Sequence, residues 1–226
     1  MSGKSDEAFV EREIIERVGQ ISSELAHDLR SPLQTIQNAV YLLQRNPENP
    51  ELFDMISQSL VEASSLLDSF RDYYKGHIVK PIQTDFTKIV DLAFSEVNIP
   101  GCVEVQKKLL NDLCVNLDPS KMALAIKHLL ENAVEAMPEG GVLKLTAFQS
   151  KEGIHLSLED NGTGILPIHR SSMFTPFESG NKKGNGLGVP IAQRIIQSHG
   201  GKLVFSTELG KGTKFTISFP SSTVKL

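Results

Sequence analysis

The chain of 226 residues, 40% hydrophobic and 22% charged, is too apolar for a disordered segment and long enough for one large or two modest domains, each with its own core. A formal net charge of −4, a pI near 5.9 and no basic run exclude a nucleic-acid footprint, so any bound phosphate must be met by local groups. Cys102 and Cys114 have neither metal-ligand spacing nor partners for a disulfide framework, no apolar run reaches ~18 residues and the start is polar, which together predict a cytoplasmic chain with no membrane segment.

The first predicted element is a long helix from about Asp6 to Arg45, carrying Ile14, Val18, Ile21, Leu25, Leu29, Leu33, Ile36, Val40 and Leu43 at steps of three and four. At roughly 100° per residue, His27 falls on the far side of this stripe, beside Glu24, Ser31 and Gln34. It is either an ordinary surface histidine or a reactive one. An exposed, largely neutral imidazole keeps one ring nitrogen free as a nucleophile, and Asp28 stands next to it as an orienting carboxylate. Pro32 removes an amide donor and crowds the Asp28 carbonyl, which predicts a bend or loosening beside the histidine.

Residues 46–50 break the helix, with Asn49 as N-cap and Pro50 at the first position of the next. That second helix sets Leu52, Ile56, Leu60, Ala63, Leu67, Phe70 and Tyr74 close to a heptad seam. Two amphipathic helices cover such seams best by pairing two hairpins into a dimeric four-helix bundle; packing of the hairpin on its own C-terminal domain is the alternative. Gly76 and Pro81 end the pattern, giving a helical hairpin over residues 1–76, a linker over 77–83 and a second domain over 84–226. His77, in the linker, belongs to no motif.

Beyond the linker the pattern is mixed. Thr84 or Asp85 caps a helix to about Val97, strands follow near Val103 to Lys107 and Cys114 to Leu117, and Asp118-Pro119 opens a helix to Met137. Val142 to Phe148 and Ile154 to Glu159 alternate as paired strands. Ile191 to His199 is helical, with its start near Pro190, and Lys202 to Thr207 and Thr213 to Phe219 close the chain as strands. The fold class is α+β, the second domain an α/β sandwich on a mixed, mostly antiparallel sheet.

Four stretches of this domain carry polar or glycine-rich features that packing does not ask for. In the helix around His128, Asn132 and Glu135, the Asn132 amide oxygen suits Mg²⁺, a cation that takes oxygen ligands and few protein groups besides phosphates. Asp160, at a strand end before Gly162 and Gly164, can accept a hydrogen bond from an adenine amino group. Residues 173–177 precede a loop in which Gly184, Gly186, Leu187 and Gly188 open onto a helix, where free amides and the positive dipole end favour phosphate. Lys182 and Lys183 stand just ahead of those glycines. Singly, each has an ordinary structural alternative, a surface amide, a tight turn, a glycine loop or solvated charges; together they outweigh it.

In this order, the segments from His27 to Leu33, from His128 to Met137, from Asp160 to Ile165, from Met173 to Phe177 and from Gly184 to Pro190 resemble the H-box, N-box, G1, F and G2 boxes of sensor histidine kinases. Their ATP-binding domain is shared with gyrase, the Hsp90 chaperones and the mismatch-repair protein MutL. The resemblance implies that His27 accepts phosphate with Asp28 as base or orienter, that Asn132 binds Mg²⁺, and that Asp160 reads adenine. Gly162 and Gly164 are then the loop glycines beside it, and residues 178–183 the ATP lid, where Lys182 or Lys183 replaces the lysine many relatives carry at the position of Asn181. His128 departs from the pattern, which has asparagine there in the kinases and glutamate in the ATPases. Residues 135–141 are closest to the nitrogen-regulator type.

The resemblance therefore implies a homodimeric ATP-dependent histidine kinase that passes its phosphoryl group to an aspartate of a response regulator receiver domain, with ATP and Mg²⁺ as cofactors. Ser31, one turn after His27, stands where relatives have threonine or asparagine tied to dephosphorylating the regulator, which implies a weak phosphatase activity. The alternatives are a nucleotide-binding scaffold without autokinase activity and a protein serine kinase of the dehydrogenase-kinase type.

Overall fold

The computed structural model describes the backbone of residues 3–75, 78–110, 113–178 and 186–223, with side chains from Ser22 onward except Lys75. Two compact units emerge, residues 1–71 and 72–226, so the last turn of the second helix groups with the second unit.

The first unit is built from helix α1 (Gly3–Leu43) and most of helix α2 (Pro50–Lys75). Asn49 caps α2, accepting the Glu51 amide at 3.0 Å, and Pro50 occupies the first helical position, where its missing N–H costs nothing. α1 continues through Pro32 as one helix, and Pro32 itself is buried. Among the described residues the buried positions are Pro32 and Ala39 on α1 and Leu52, Ser59 and Leu66 on α2. Leu60 and Leu67, read above as seam, are 53% and 51% exposed, and Leu33 and Val40 point outward with them. One hairpin contact has room for a narrow row of mostly small side chains; the wider apolar stripe remains as a second face that also carries Tyr41, Phe53 and Val61.

The second unit has a five-stranded mixed sheet in the order β2-β4-β5-β7-β6, made of Val103–Lys108, Gly141–Gln149, Gly153–Asp160, Gly212–Pro220 and Lys202–Glu208. Only β2 and β4 run parallel. A separate antiparallel pair joins β1 (Ile82–Asp85) to β3 (Cys114–Leu117), so a strand occupies residues assigned to the linker by pattern alone. Helix α4 (Pro119–Glu135) packs against both α3 (Phe86–Ser95) and α6 (Gly188–Ser198). Ile89, Leu129, Leu130, Ile195, Leu145, Leu156 and Phe215 form one core between these helices and the sheet. Asp85 caps α3 through the Thr87 amide, and Asp118 caps α4 through the Lys121 amide, as the cap residues predict.

One polar node fixes α6 relative to α4. The Asp118 amide donates to His199 Nε2 at 2.9 Å, while His199 Nδ1 donates to the Ile195 carbonyl at 2.8 Å. Burial lowers the His199 pKa, which keeps the ring neutral and able to accept. Among the described residues no helix is long and apolar enough to cross a membrane.

Candidate phospho-acceptor and nucleotide site

On α1, His27 is set off the buried row by helical phase alone, and its side chain is 79% exposed. Its Nδ1 lies 3.2 Å from Asp28 Oδ1. A carboxylate only accepts, so the pair is satisfied when Nδ1 carries the proton, which leaves the Nε2 lone pair toward solvent. Ser31 is exposed one turn further on, and its carbonyl accepts the Thr35 hydroxyl at 3.2 Å.

In the second unit, Asp160 is the last residue of β5 and only 4% exposed. Its Oδ1 accepts the Gly162 amide at 2.9 Å and the Thr213 amide at 3.2 Å, both bonds falling on the one oxygen. Burial raises its pKa, and the two backbone donors oppose that shift. Thr213 has no signal in its own segment: the β5–β7 register brings it to Asp160, and its hydroxyl meets that of Thr207 at 3.1 Å.

The loop after Asp160 is tied on three sides. The Thr163 amide donates to the Ala136 carbonyl at the end of α4 (2.9 Å), Asn161 Oδ1 accepts the Val142 amide (2.7 Å), and the Gly210 amide donates to the Thr163 carbonyl (2.7 Å). Gly162 is required here, because a Cβ would strike the Ala136 carbonyl. Gly164 sits further along the same loop, against Glu208 and Leu209 of the β6–β7 turn.

Asn132 lies half-buried on α4, and its side-chain amide makes no hydrogen bond to a described residue. No group of three or more His, Cys, Asp or Glu that could hold a metal exists among the described residues.

The segment after α5 (Pro167–Arg170) anchors on aromatics: Phe174 meets Phe205 edge-on at 5.6 Å, and Phe205 meets Phe215 at 5.9 Å. Phe177 adopts φ +64°, an uncommon conformation for a non-glycine residue, and its amide donates to the Gly186 carbonyl at 3.2 Å. Gly186, at φ +66°, crosses directly over Phe177, where a side chain would strike its backbone. α6 starts at Gly188, two residues earlier than the proline suggests. Its N-cap Leu187 is buried and supplies no side-chain cap bond, and the first turn carries no acidic side chain, leaving a helix end suited to an anion. Lys182, Lys183 and Gly184, like His77, lie outside the described residues.

Residues 17–77 match the His Kinase A (phospho-acceptor) domain, and residues 117–223 match the histidine kinase-, DNA gyrase B- and HSP90-like ATPase. The chain belongs to the histidine kinase family. Sporulation kinase E of Bacillus subtilis is 27% identical over 211 residues, covering 90% of this chain and 28% of that protein. The sensor histidine kinase ZraS of Escherichia coli is 27% identical over 220 residues, covering 92% of this chain and 47% of its own. The chain thus spans less than half the length of these curated relatives. Among solved structures, the histidine kinase ThkA in complex with the response regulator protein TrrA superposes with a TM-score of 0.77, at 22% identity, over 96% of this chain and 66% of that one, a likeness of fold. A mycobacterial sensor histidine kinase, MprB, is 27% identical with a TM-score of 0.56, covering 63% of this chain and 97% of that one. His27 falls inside the first matched domain; Asn132, Asp160 and the glycines from Gly162 to Gly188 fall inside the second.

Proposed function

We propose that this chain is an ATP-dependent histidine kinase that phosphorylates His27 and hands the phosphoryl group to an aspartate of a response regulator receiver domain, working in the cytoplasm as a homodimer. The observation that carries the reading is the exposed imidazole of His27, with Nδ1 held by Asp28 and Nε2 left as the nucleophile. Nε2 attacks the γ-phosphorus of ATP, the bond from that phosphorus to the β,γ-bridging oxygen breaks, and ADP leaves. The ring becomes cationic, and Asp28 faces the Nδ1–H that carries the charge, stabilising it or taking the proton.

Asp160 Oδ2 accepts the adenine amino group. The amides of Gly186 and Gly188, with Lys182 or Lys183, meet the phosphates, while Gly162 and Gly164 shape the adenine loop. Asn132 would hold Mg²⁺, which neutralises developing phosphoryl charge when bound. Catalysis on this reading is mostly positioning and electrostatics. Incubation with γ-labelled ATP tests it: label that survives base and is lost in acid is expected, and acid-stable label would favour a serine kinase instead.

The exposed apolar face of the hairpin, with Leu33, Val40, Leu60 and Leu67, is the proposed dimer contact. Because Leu60 is outside the buried row of its own hairpin, Leu60→Glu should dissociate the dimer without unfolding it. Sedimentation of the variant as a dimer at micromolar concentration would refute that contact.

Ser31 shares the exposed face with His27, so its hydroxyl can reach a phospho-aspartate docked there. Serine lacks threonine's β-branch and holds a water less rigidly, so phosphatase activity should be weak. Ser31→Ala should lower dephosphorylation of the regulator several-fold and spare autophosphorylation; equal dephosphorylation by both proteins would remove Ser31 from that role.

A further inference from the structure

Thr207, near the end of β6, lies opposite Thr213 of β7 and is half-buried. Its hydroxyl joins several segments at once. It accepts the Ile165 amide at 3.0 Å, from the loop that follows Asp160, donates to the Gly212 carbonyl at 3.1 Å, and lies 3.1 Å from the Thr213 hydroxyl. A hydroxyl has one proton and two lone pairs. An amide N–H can only donate and a carbonyl can only accept, so the arrangement that satisfies every contact has the Thr213 hydroxyl donating to Thr207. Thr213 is thereby held at both ends, its hydroxyl by Thr207 and its amide by Asp160 Oδ1.

The other donor to Asp160 Oδ1 is the Gly162 amide, in the loop that Thr207 ties down at Ile165. That loop also meets the β6–β7 turn through the bond from the Gly210 amide to the Thr163 carbonyl, but backbone groups make it and a side-chain substitution leaves it in place. We infer that Thr207 is a positioning residue for base recognition: its one hydroxyl holds both segments that aim the Asp160 carboxylate, and so sets the preference for a purine with an exocyclic amino group over one with a carbonyl at that position. This rests on the reading of the second unit as an ATP site in which Asp160 meets the adenine amino group. A carboxylate only accepts, so a carbonyl in that place faces like partial charge. Discrimination needs the carboxylate fixed. One that is free to turn swings away from the wrong base and loses its grip on the right one.

Thr207→Val removes the hydroxyl and keeps the shape of the side chain. Calorimetric titration of the full chain with Mg-ATP and with the magnesium complex of inosine triphosphate should show ATP weakened about ten-fold, the loss expected for one hydrogen bond, and inosine triphosphate nearly unchanged. Thr207→Ser, which keeps the hydroxyl, should bring the ratio of the two affinities back to within about three-fold of the wild type. A residue that served stability alone would lower the melting point and weaken both nucleotides alike. An unchanged ratio in Thr207→Val, or a Thr207→Ser that fails to restore it, would overturn the role of Thr207 while leaving the ATP site in place. If Thr207→Val melts below the assay temperature, the ratio in Thr207→Ala decides by the same criterion. A wild-type chain that binds both nucleotides equally would overturn the role of Asp160, one that binds neither would overturn the ATP reading, and this inference falls with either.

Discussion

His27→Ala should reduce phosphate incorporation from γ-labelled ATP to background while nucleotide affinity, thermal stability and dimerisation stay at wild-type values. The loss is expected to be complete, because the substitution removes the atom that forms the new bond; removal of a group that merely positions substrate leaves residual activity. Stability should hold because the side chain is 79% exposed and bonds, among the described residues, to the neighbouring, partly exposed Asp28, so no buried partner of these is orphaned. Nucleotide affinity should hold because Asp160, Asn132 and the glycines proposed for the ATP site are all in the second unit. Undiminished labelling would move the acceptor to another side chain. Loss of labelling together with loss of ATP binding would mean the variant had misfolded, which a melting curve of the same sample detects and a His27→Gln variant, closer in size, then bypasses.

The residues that were legible in the sequence are those whose environment is local. Asn49, Asp85 and Asp118 cap helices through bonds to amides two or three residues on, so a short window holds all the information. His27 and Asp28 are likewise neighbours on one turn. What escaped depends on partners far along the chain. The buried row of the hairpin includes Ser59 and Ala39 and leaves out Leu60 and Val40, because close helix contact selects small side chains by shape, whereas periodicity ranks residues by hydrophobicity alone. Strand β1 carries no alternation of burial and exists through its register with Cys114–Leu117. Thr213 reaches Asp160 through the β5–β7 ladder, a partnership that no short window of sequence contains.

Asn132→Ala should abolish autophosphorylation and weaken ATP in the presence of Mg²⁺, with little change when the metal is chelated. The carboxamide is half-buried on α4 and makes no hydrogen bond to a described residue, so its removal leaves none of the described residues without a partner. Alanine also has the higher helix propensity, and the thermal midpoint should stay level or rise slightly. A residue that served the fold would behave in the opposite way. The binding loss should be about ten-fold, near 1.4 kcal/mol, since Mg²⁺ keeps its phosphate and water ligands. The rate loss should be much larger, at least about a hundred-fold, because a misplaced ion fails to neutralise charge that develops only in the transition state. Titration of ATP with Mg²⁺ and with chelator, alongside labelling kinetics, separates the two effects. Equal weakening of ATP with and without the metal would mean that Asn132 touches the nucleotide itself, and wild-type kinetics would place the magnesium ligand elsewhere in the chain.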